Sequence, residues 1–334
     1  MNRGERVFVT GADGMLGSSI CRELISQGYL VKAMVLPNRL SEVLSGLAIE
    51  LVEGNILDIE FLEKEMTNCD YVINAAALTT LWPKQSEIVM SVNFEGTKNV
   101  MEIAEKLEMK RMVHIGTANS FGHGSKEEPG DETTSFTFGK YDLDYIKSKY
   151  LAQQMLLEKH AQDGFPVIIV NPTYMIGPFD SGPSSGKMII ELLKDKIPGY
   201  SSGGKNFISS LDVATSVVNA LKLGRLGECY IAGNENLDYK EFFKKVCSVK
   251  KKKFKLIKIP SALVLGLGLF NSVVARLIRK APKLSYTMVR MGVVNQHYSS
   301  KKAQQELKLP QSPIENGIEQ CVEWFESNGY LNKK

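Results

Sequence analysis

Cysteine and histidine are scarce in this sequence, and neither is arranged as a metal site. The 334 residues include 5 Cys and 4 His. The cysteines are far apart and form no Cys-x-x-Cys pair, and no histidine lies four residues from another. Zinc is usually held by such closely spaced ligands, so the sequence argues against a metal site. Because no secretion signal is evident either, we expect the thiols to be reduced and mostly buried.

The sequence also lacks the features of nucleic-acid-binding and exported proteins. Its 41 Lys and Arg are balanced by 37 Asp and Glu, and no basic stripe is interleaved with aromatic residues. Residues 1–6 run directly into a strand-like segment, without the apolar core and cleavage site of a signal peptide. We therefore expect a cytoplasmic protein with no nucleic-acid partner.

What the sequence does have is a regular alternation of strand-like and helix-like segments. Helix-length amphipathic segments separate apolar runs at residues 6–10, 30–36, 49–52, 71–75, 111–115 and 166–171. This alternation is typical of βαβ units. It predicts an α/β protein with a Rossmann-type doubly wound parallel sheet.

Three glycines separate the first strand from the first helix. Gly11, Gly14 and Gly17 have the spacing G-x-x-G-x-x-G, and Met15 and Leu16 open the helix. A pyrophosphate binds at a helix N-terminus when no side chain holds the backbone away from it. The loop therefore predicts a dinucleotide site, with a purely structural glycine-rich turn as the alternative.

This loop defines the expected domains. We predict that residues 1–172 form an NAD(P)-binding Rossmann domain, to which a segment at about 205–235 returns. Residues 173–204 and 236–334 are predicted to form a smaller, mostly helical substrate lobe, because a nucleotide-binding sheet leaves its ligand in a crevice that another lobe must cover.

The residues after the second strand bear on the choice between NAD and NADP. An acid there would bind the ribose 2′-hydroxyl, whereas an Arg accommodates a 2′-phosphate. The segment Leu36–Arg39 contains no acid, which favours NADP(H) while leaving NAD(H) open. Arg39 is the candidate phosphate ligand and Lys32 a second one, and Arg39 as a solvated loop residue is the alternative.

Tyr145 and Lys149 are four residues apart, which places them on one face of a predicted helix. A nearby ammonium and an oxidised nicotinamide both favour the phenolate, so we expect Lys149 and the cofactor to lower the pKa of Tyr145 from its ordinary value near 10. Such a phenol can donate a proton to a carbonyl oxygen or accept one from an alcohol. The pair is common by chance, so its meaning depends on the glycine loop that precedes it.

Four further segments belong to the same pattern: residues 54–59, 74–77, 92–97 and 114–122. Together with them, these motifs resemble the extended short-chain dehydrogenases/reductases, also known as the NAD-dependent epimerase/dehydratase superfamily. The resemblance covers nearly the whole chain. It implies that Asp58 and Ile59 contact adenine, that the small residues after the fourth strand let the cofactor pass closely, and that Asn93 and a strand-five hydroxyl assist catalysis. The small residues are Ala75, Ala76 and Ala77.

The strand-five hydroxyl departs from the family pattern. Relatives usually have Ser-Ser there, whereas this chain has Gly116-Thr117. By register Thr117 takes the catalytic place beside Tyr145 and Lys149, and its hydroxyl can bond a carbonyl oxygen. Ser120 is the competing candidate.

The segment from Pro172 to Phe179 resembles the dihydroflavonol-reductase-like and 3β-hydroxysteroid-dehydrogenase-like branch. The resemblance implies that Pro172 and Met175 pass beside the nicotinamide. It favours hydride transfer to or from a carbonyl or alcohol of a fairly apolar small molecule, with the cofactor supplying the hydride. A nucleotide-sugar epimerase is the alternative within enzymes, and a non-catalytic cofactor-binding regulatory protein is the alternative of another class.

One apolar segment, residues 259–278, allows two interpretations. Flanking bases make a membrane-surface helix conceivable. Its length and its interruption by Asn271 and Ser272 instead favour a helix that closes an apolar pocket, so we expect no membrane partner. The resemblance also makes a homodimer plausible.

Overall fold

Strands and helices alternate through the first half of the chain, as the apolar pattern predicts. The computed structural model describes residues 4–38, 42–278, 280–282 and 284–332. The strands are β1 Arg6–Thr10, β2 Leu30–Val35, β3 Ile49–Glu53, β4 Tyr71–Asn74, β5 Arg111–Ile115, β6 Val167–Pro172, β7 Tyr174–Ile176, β8 Gly199–Tyr200, β9 Gly204–Ser209, β10 Glu228–Ala232, β11 Glu235–Asp238, β12 Ile257–Lys258 and β13 Asn295–Gln296. The helices are α1 Met15–Ser26, α2 Ile59–Met66, α3 Glu87–Met90, α4 Gly96–Lys106, α5 Asp144–Asp163, α6 Lys187–Leu193, α7 Ser210–Asn219, α8 Tyr239–Val249, α9 Ser261–Ile278, α10 Tyr286–Gly292, α11 Lys301–Glu306 and α12 Ile314–Ser327.

Seven strands form one parallel sheet in the order β10-β6-β5-β4-β1-β2-β3. The strand order reverses between β1 and β4, where Thr10 pairs in register with Asn74 at the carboxyl ends. Ligands of doubly wound sheets bind in the crevice at such a switch point. The predicted fold class is therefore confirmed, and the expected cofactor crevice lies between β1 and β4.

Helices cover both faces of this sheet because its strands are apolar on both sides. In β1, Val7 and Val9 belong to one core and Phe8 to the other, and all three are fully buried. This follows from the two-residue period of a strand. Helices α1 and α7 cover the first face, and α2, α4 and α5 the second.

A smaller lobe is built around a second sheet. Its strands have the order β11-β9-β13, and β7 pairs with β9. Phe207 of β9 stacks on Phe242 of α8, with ring centroids 4.0 Å apart. Within the segment 205–235, predicted to return to the first domain, α7 and β10 contribute to the cores of the large sheet, whereas β9 lies in the small one.

One local expectation is wrong, and one helix cap differs from the acid that its position suggests. The cap of α7 is Ser209, whose hydroxyl accepts from the backbone N–H of Leu211. The Asp212 carboxylate instead accepts from the backbone and hydroxyl of Ser312, each at 2.9 Å. The apolar segment was expected to close a pocket, and it does not. Helix α9 packs on α10 by a narrow face, and only 11% of its residues are buried.

Candidate active site

The glycine loop is fixed by close backbone packing. Gly11 has a φ of 62°, and a Cβ on it would lie 2.7 Å from the Cα of Ala76. A Cβ on Gly17 would lie 2.1 Å from the carbonyl oxygen of Gly11. Neither position can hold a side chain unless the backbone moves, because real Cβ atoms do not approach backbone atoms so closely. The loop therefore packs tightly against the turn after β4.

The N-terminus of α1 leaves backbone donors for a ligand. Its N-cap is Gly14, which has no side chain to cap the helix, and no acid lies in the first turn. Leu16 points into the core, so only its backbone faces the loop, while Met15 is half-buried. Uncapped N–H groups and the helix dipole suit a pyrophosphate, so the residues present fit a dinucleotide.

Buried polar groups join the loop to the carboxyl ends of the strands. The Thr10 hydroxyl donates to Asn74 Oδ1 at 2.7 Å and accepts from the backbone N–H of Ala76 at 3.1 Å. Asn74 in turn donates to the hydroxyl of Thr97 at 3.1 Å. This network fixes the turn Ala75–Ala77 beside Gly11. The three alanines of that turn are partly exposed towards the crevice.

The groups at the ends of β2 and β3 surround the expected adenosine position. Asp58 caps α2 by accepting from the backbone N–H of Phe61 at 3.0 Å, and Ile59 is 47% exposed. The buried amine of Lys32 is already paired with Glu65 at 2.7 Å and with Glu50 at 3.1 Å. Arg39 lies outside the described residues. The contact of Asp58 and Ile59 with adenine therefore stays a prediction, whereas Lys32 is not free to bind a 2′-phosphate.

The sequence reasoning missed an acid at this position. Glu53, the last residue of β3, pairs in register with Val35 of β2, and its carboxylate accepts from the backbone N–H of Asn38 at 3.3 Å. An acid is therefore close to the end of β2, although the four residues that follow this strand contain none. A carboxylate there can accept from a ribose 2′-hydroxyl, whereas it repels a 2′-phosphate.

Tyr145, Lys149 and Thr117 come together at the start of α5 and the end of β5. Burial raises the pKa of the Tyr145 phenol, and a hydrogen bond with the Thr117 hydroxyl lowers it in part. Lys149 is 2% exposed and donates to the carbonyl oxygen of Ile115. Burial lowers the pKa of Lys149 to about 7.

The part of the expected lowering that was ascribed to Lys149 does not appear in the structure. Desolvation dominates the pKa of Tyr145, and Thr117 is the group that opposes it. Burial lowers the pKa of His114, and the charge of Lys149 adds to this effect. A phenol that keeps its proton at neutral pH is suited to donate it, as a general acid must.

Thr117 and Ser120 are both buried, but their surroundings differ. Thr117 caps a short 3₁₀ turn, lines a cavity and contacts Tyr145. Ser120 is 2% exposed, and its hydroxyl has no partner among the described residues. This placement favours Thr117 as the group that faces a substrate.

Asn93 connects the turn after β4 to the catalytic helix. It lies in a π-helical turn between α3 and α4 and is fully buried. Its amide accepts from the backbone N–H of Leu78 at 2.8 Å and donates to the Leu78 carbonyl at 3.0 Å and to the Ser148 hydroxyl at 3.1 Å. Ser148 precedes Lys149, so Asn93 positions the helix that holds the Tyr–Lys pair.

A cavity of about 60 Å³ next to Thr117 contains residues that the sequence did not single out. The amine of Lys205 donates to Gln296 at 2.9 Å and lies 5.2 Å from the ring centroid of Tyr174. Burial lowers the pKa of Lys205 to about 8. The Tyr298 hydroxyl is buried without a protein partner among the described residues. The cavity thus carries a cationic donor and a free hydroxyl beside the catalytic threonine.

The two residues predicted to border the nicotinamide are placed differently. Pro172, the last residue of β6, lines this cavity. Met175 of β7 packs against the same core as Ala75. A larger groove of about 580 Å³ lies elsewhere, between α1, α7 and α12, and none of the predicted catalytic residues lines it. Of the four predicted catalytic residues, Thr117 is the one that lines the smaller cavity.

Comparison with known proteins identifies the family of this chain. Residues 7–233 match the model of the NAD dependent epimerase/dehydratase family. A protein of Synechocystis sp. named as a dihydroflavonol 4-reductase is 31% identical, over 97% of this chain and 95% of its own length. Sterol demethylase protein B of Methylococcus capsulatus is 26% identical, over 97% and 99%. The crystal structure of gox2253 superposes with a TM-score of 0.86 at 28% identity, over 98% of this chain and 100% of that one.

Proposed function

The chain belongs to the NAD-dependent epimerase/dehydratase family, and we propose from this which reaction it catalyses. As an NAD(P)-dependent oxidoreductase of the extended short-chain dehydrogenase/reductase type, it reduces a ketone, or oxidises the corresponding alcohol, of a fairly apolar small molecule. The observation that carries the proposal is that α5, which holds Tyr145 and Lys149, meets the end of β5. Lys149 donates to the carbonyl oxygen of Ile115, and Thr117, two residues further on, lines a cavity.

The cofactor would be held by the residues of the crevice. Gly11, Gly14 and Gly17 would accept the pyrophosphate at the N-terminus of α1, with Met15 and Leu16 contributing backbone N–H groups. Asp58 and Ile59 would contact adenine, and Ala75, Ala76 and Ala77 would leave room along the turn. When bound, a nicotinamide cofactor supplies or accepts the hydride.

The catalytic residues then handle the substrate oxygen. Tyr145 donates its phenolic proton to the carbonyl oxygen during reduction and accepts a proton from the hydroxyl during oxidation. Thr117 bonds the same oxygen and orients it. Lys149 lies under the site and carries its charge below its pKa of about 7, and Asn93 positions the helix that carries both residues.

Lys205 gives the substrate side of the site a polar anchor. Its single hydrogen bond to a described side chain leaves further N–H donors directed at the cavity. We propose that Lys205 contacts an anionic or carbonyl oxygen of the substrate. Relatives named for a dihydroflavonol and for a sterol favour a ring-containing, largely apolar substrate.

The choice of cofactor depends on two opposing features. The absence of an acid after β2 favours NADP(H), as the sequence predicts. Glu53 favours NAD(H), because its carboxylate would repel a 2′-phosphate. Titration of the protein with NADH and NADPH decides between them. Glu53→Gln should shift the ratio of dissociation constants towards NADPH, and an unchanged ratio would remove Glu53 from the cofactor site.

The proposed reaction is tested by following cofactor during turnover. Purified protein is incubated with NADPH or NADH and a panel of cyclic ketones, and separately with nucleotide sugars. Net cofactor oxidation with a ketone supports the reductase. Epimerised sugar without net cofactor conversion would replace it by the epimerase. Cofactor binding with no reaction on either panel, by wild type and Tyr145→Phe alike, would favour a non-catalytic protein.

A further inference from the structure

The outer face of α9 is a continuous apolar stripe. Leu263, Leu267, Phe270, Val273 and Leu277 are 66, 53, 65, 51 and 79% exposed. Their spacing of three or four residues places them along one side of the helix. Monomeric soluble proteins rarely expose so many large apolar side chains together, and such a patch marks an interaction surface.

The inner face of α9 is narrow and fitted to α10. A Cβ on Gly268 would lie 2.8 Å from Val289, so the glycine allows the two helices to approach closely. The Ser272 hydroxyl accepts from the backbone N–H of Tyr286 at 2.8 Å. Asn271 and Ser272, which interrupt the apolar segment, therefore face the protein. The helix is amphipathic with its apolar side outward.

The segment of sequence that contains this helix carries charge of one sign. Residues 242–305 contain 15 Lys and Arg and no Asp or Glu, although the whole chain has 37 acids for 41 bases. Lys258 precedes α9, while Arg276 lies in its last turn and Lys280 follows it. Lys253, Lys255 and Lys258 are exposed, and none of them has an ion pair within the part of the chain that the structure describes. This charge complements an anionic surface.

We propose that α9 docks this protein on the surface of an anionic lipid bilayer. An apolar stripe flanked by bases binds the interface by inserting its side chains, while the bases contact lipid phosphates. A second copy of the chain fits less well, because the two acid-free segments would repel each other. The expectation of no membrane partner is replaced by this proposal.

The helix lies on the bilayer and does not cross it. A crossing helix carries its ends to opposite sides, whereas both ends of α9 are held on one lobe. Strand β12, just before α9, pairs with β8, and α10 folds back along the helix. The 18 residues of α9 are long and apolar enough to cross a membrane. Because the chain folds back along the helix in α10, however, they remain at the surface of the bilayer.

The docking helix is linked to the catalytic tyrosine through α10. Met291 of α10 packs in one cluster with Phe138, Ile146 and Tyr145, so the α9–α10 pair covers that side of the site. If the proposed reductase function holds, its substrate class is a lipid-dissolved ketone or alcohol. Vesicle binding is measured without turnover, so the docking and the enzymatic proposals can fail separately.

The test is co-sedimentation of the full chain with vesicles. One set is phosphatidylcholine alone and the other contains roughly a third phosphatidylglycerol. We expect binding to the anionic set only, weakened at least about tenfold by about 0.5 M NaCl. Equal binding to both sets, or none to either, would overturn the proposal.

Two triple variants examine the two parts of the surface. Leu263→Gln, Phe270→Gln and Leu277→Gln together should abolish binding. The matched control replaces three apolar residues that are exposed elsewhere and should bind like wild type: Leu30→Gln, Leu51→Gln and Ile88→Gln. Thermal unfolding of both proteins shows that the fold is kept. The proposal is wrong if the stripe variant binds vesicles like wild type. It is also wrong if wild type forms a dimer that does not bind vesicles and the stripe variant only dissociates this dimer.

The basic part is tested in the same way. Replacing Lys253, Lys255 and Lys258 by Gln should weaken binding on the order of a hundredfold, because each base near an anionic surface contributes about fivefold. The control replaces three exposed lysines outside the segment and should leave binding unchanged: Lys64→Gln, Lys98→Gln and Lys187→Gln. Equal losses in the two variants would reduce the effect to net charge and refute a defined docking face.

Discussion

Gly11 and Gly28 both have a positive φ, 62° and 83°, but only Gly11 is packed against another segment. An Ala at either position bears the strain of the left-handed region, about 1–2 kcal/mol. At Gly28 a Cβ meets nothing within 4 Å, so this strain should be the whole effect. Gly28→Ala is therefore an internal control for the backbone conformation.

Gly11→Ala should cost more, because its Cβ would lie 2.7 Å from the Cα and 2.8 Å from the backbone nitrogen of Ala76. Backbone atoms cannot rotate away, so the loop and the turn after β4 must separate. Overpacking of this kind costs about 1–3 kcal/mol beyond the strain. The loop that separates is the one proposed to bind pyrophosphate, so the variant should also lose cofactor affinity.

The assay combines urea unfolding with fluorescence titration of NADPH and NADH. Gly11→Ala should be less stable than Gly28→Ala by about 1–3 kcal/mol and bind cofactor at least about tenfold more weakly. Gly28→Ala should bind cofactor like wild type. The reasoning is refuted if the two variants agree within about 0.5 kcal/mol, or if Gly11→Ala retains full affinity for cofactor.

Three further predictions concern side chains. Lys205→Met should lower kcat/KM by about 10–100-fold, because a charged hydrogen bond to the substrate is lost. It should also raise the thermal midpoint at neutral pH, because it removes a buried amine. An unchanged kcat/KM would show that Lys205 does not contact the substrate. Asn93→Ala should reduce the free energy of unfolding by about 2–4 kcal/mol, because both backbone groups of Leu78 lose their partner, whereas Ser148→Ala should cost about 1 kcal/mol; equal losses in urea unfolding would contradict this role. The Lys149 ammonium is lost as pH rises through its pKa of about 7, so kcat/KM should fall on the alkaline side of that value, and Lys149→Arg, which stays charged, should not show this fall.

The first half of the fold could be predicted because its signals are local. Each strand of the large sheet is a short apolar run, and Gly11, Gly14 and Gly17 mark the turn into α1. The Tyr145–Lys149 spacing needs only a helix to bring the two side chains together. These patterns depend on neighbours in sequence, and the sequence contains them.

The missed residues depend on contacts between distant segments. Glu53 reaches the end of β2 because β3 lies beside that strand. Lys205 follows two glycines and has the appearance of a surface lysine, yet β9 carries it into a cavity closed by Gln296 and Tyr298. No periodicity distinguishes a buried lysine from an exposed one.

The prediction for the apolar segment failed for a different reason. Composition shows that α9 is apolar, but it does not show what covers the helix, and burial is the ordinary expectation for such residues. The balanced charge of the whole chain also conceals the acid-free segment 242–305. A count of charges segment by segment reveals it from the amino-acid sequence alone.

The central claim is that Tyr145 protonates a carbonyl oxygen during net hydride transfer. A single-turnover experiment with cofactor deuterated at the transferring C4 position, once a ketone substrate is found, tests it directly. Wild type should place one deuterium on the product alcohol for each cofactor oxidised, while Tyr145→Phe should bind the labelled cofactor with similar affinity and transfer the label at least about 100-fold more slowly. Transfer by Tyr145→Phe at the wild-type rate would contradict the account. Unlabelled product together with cofactor that has kept or regained its deuterium would contradict it as well.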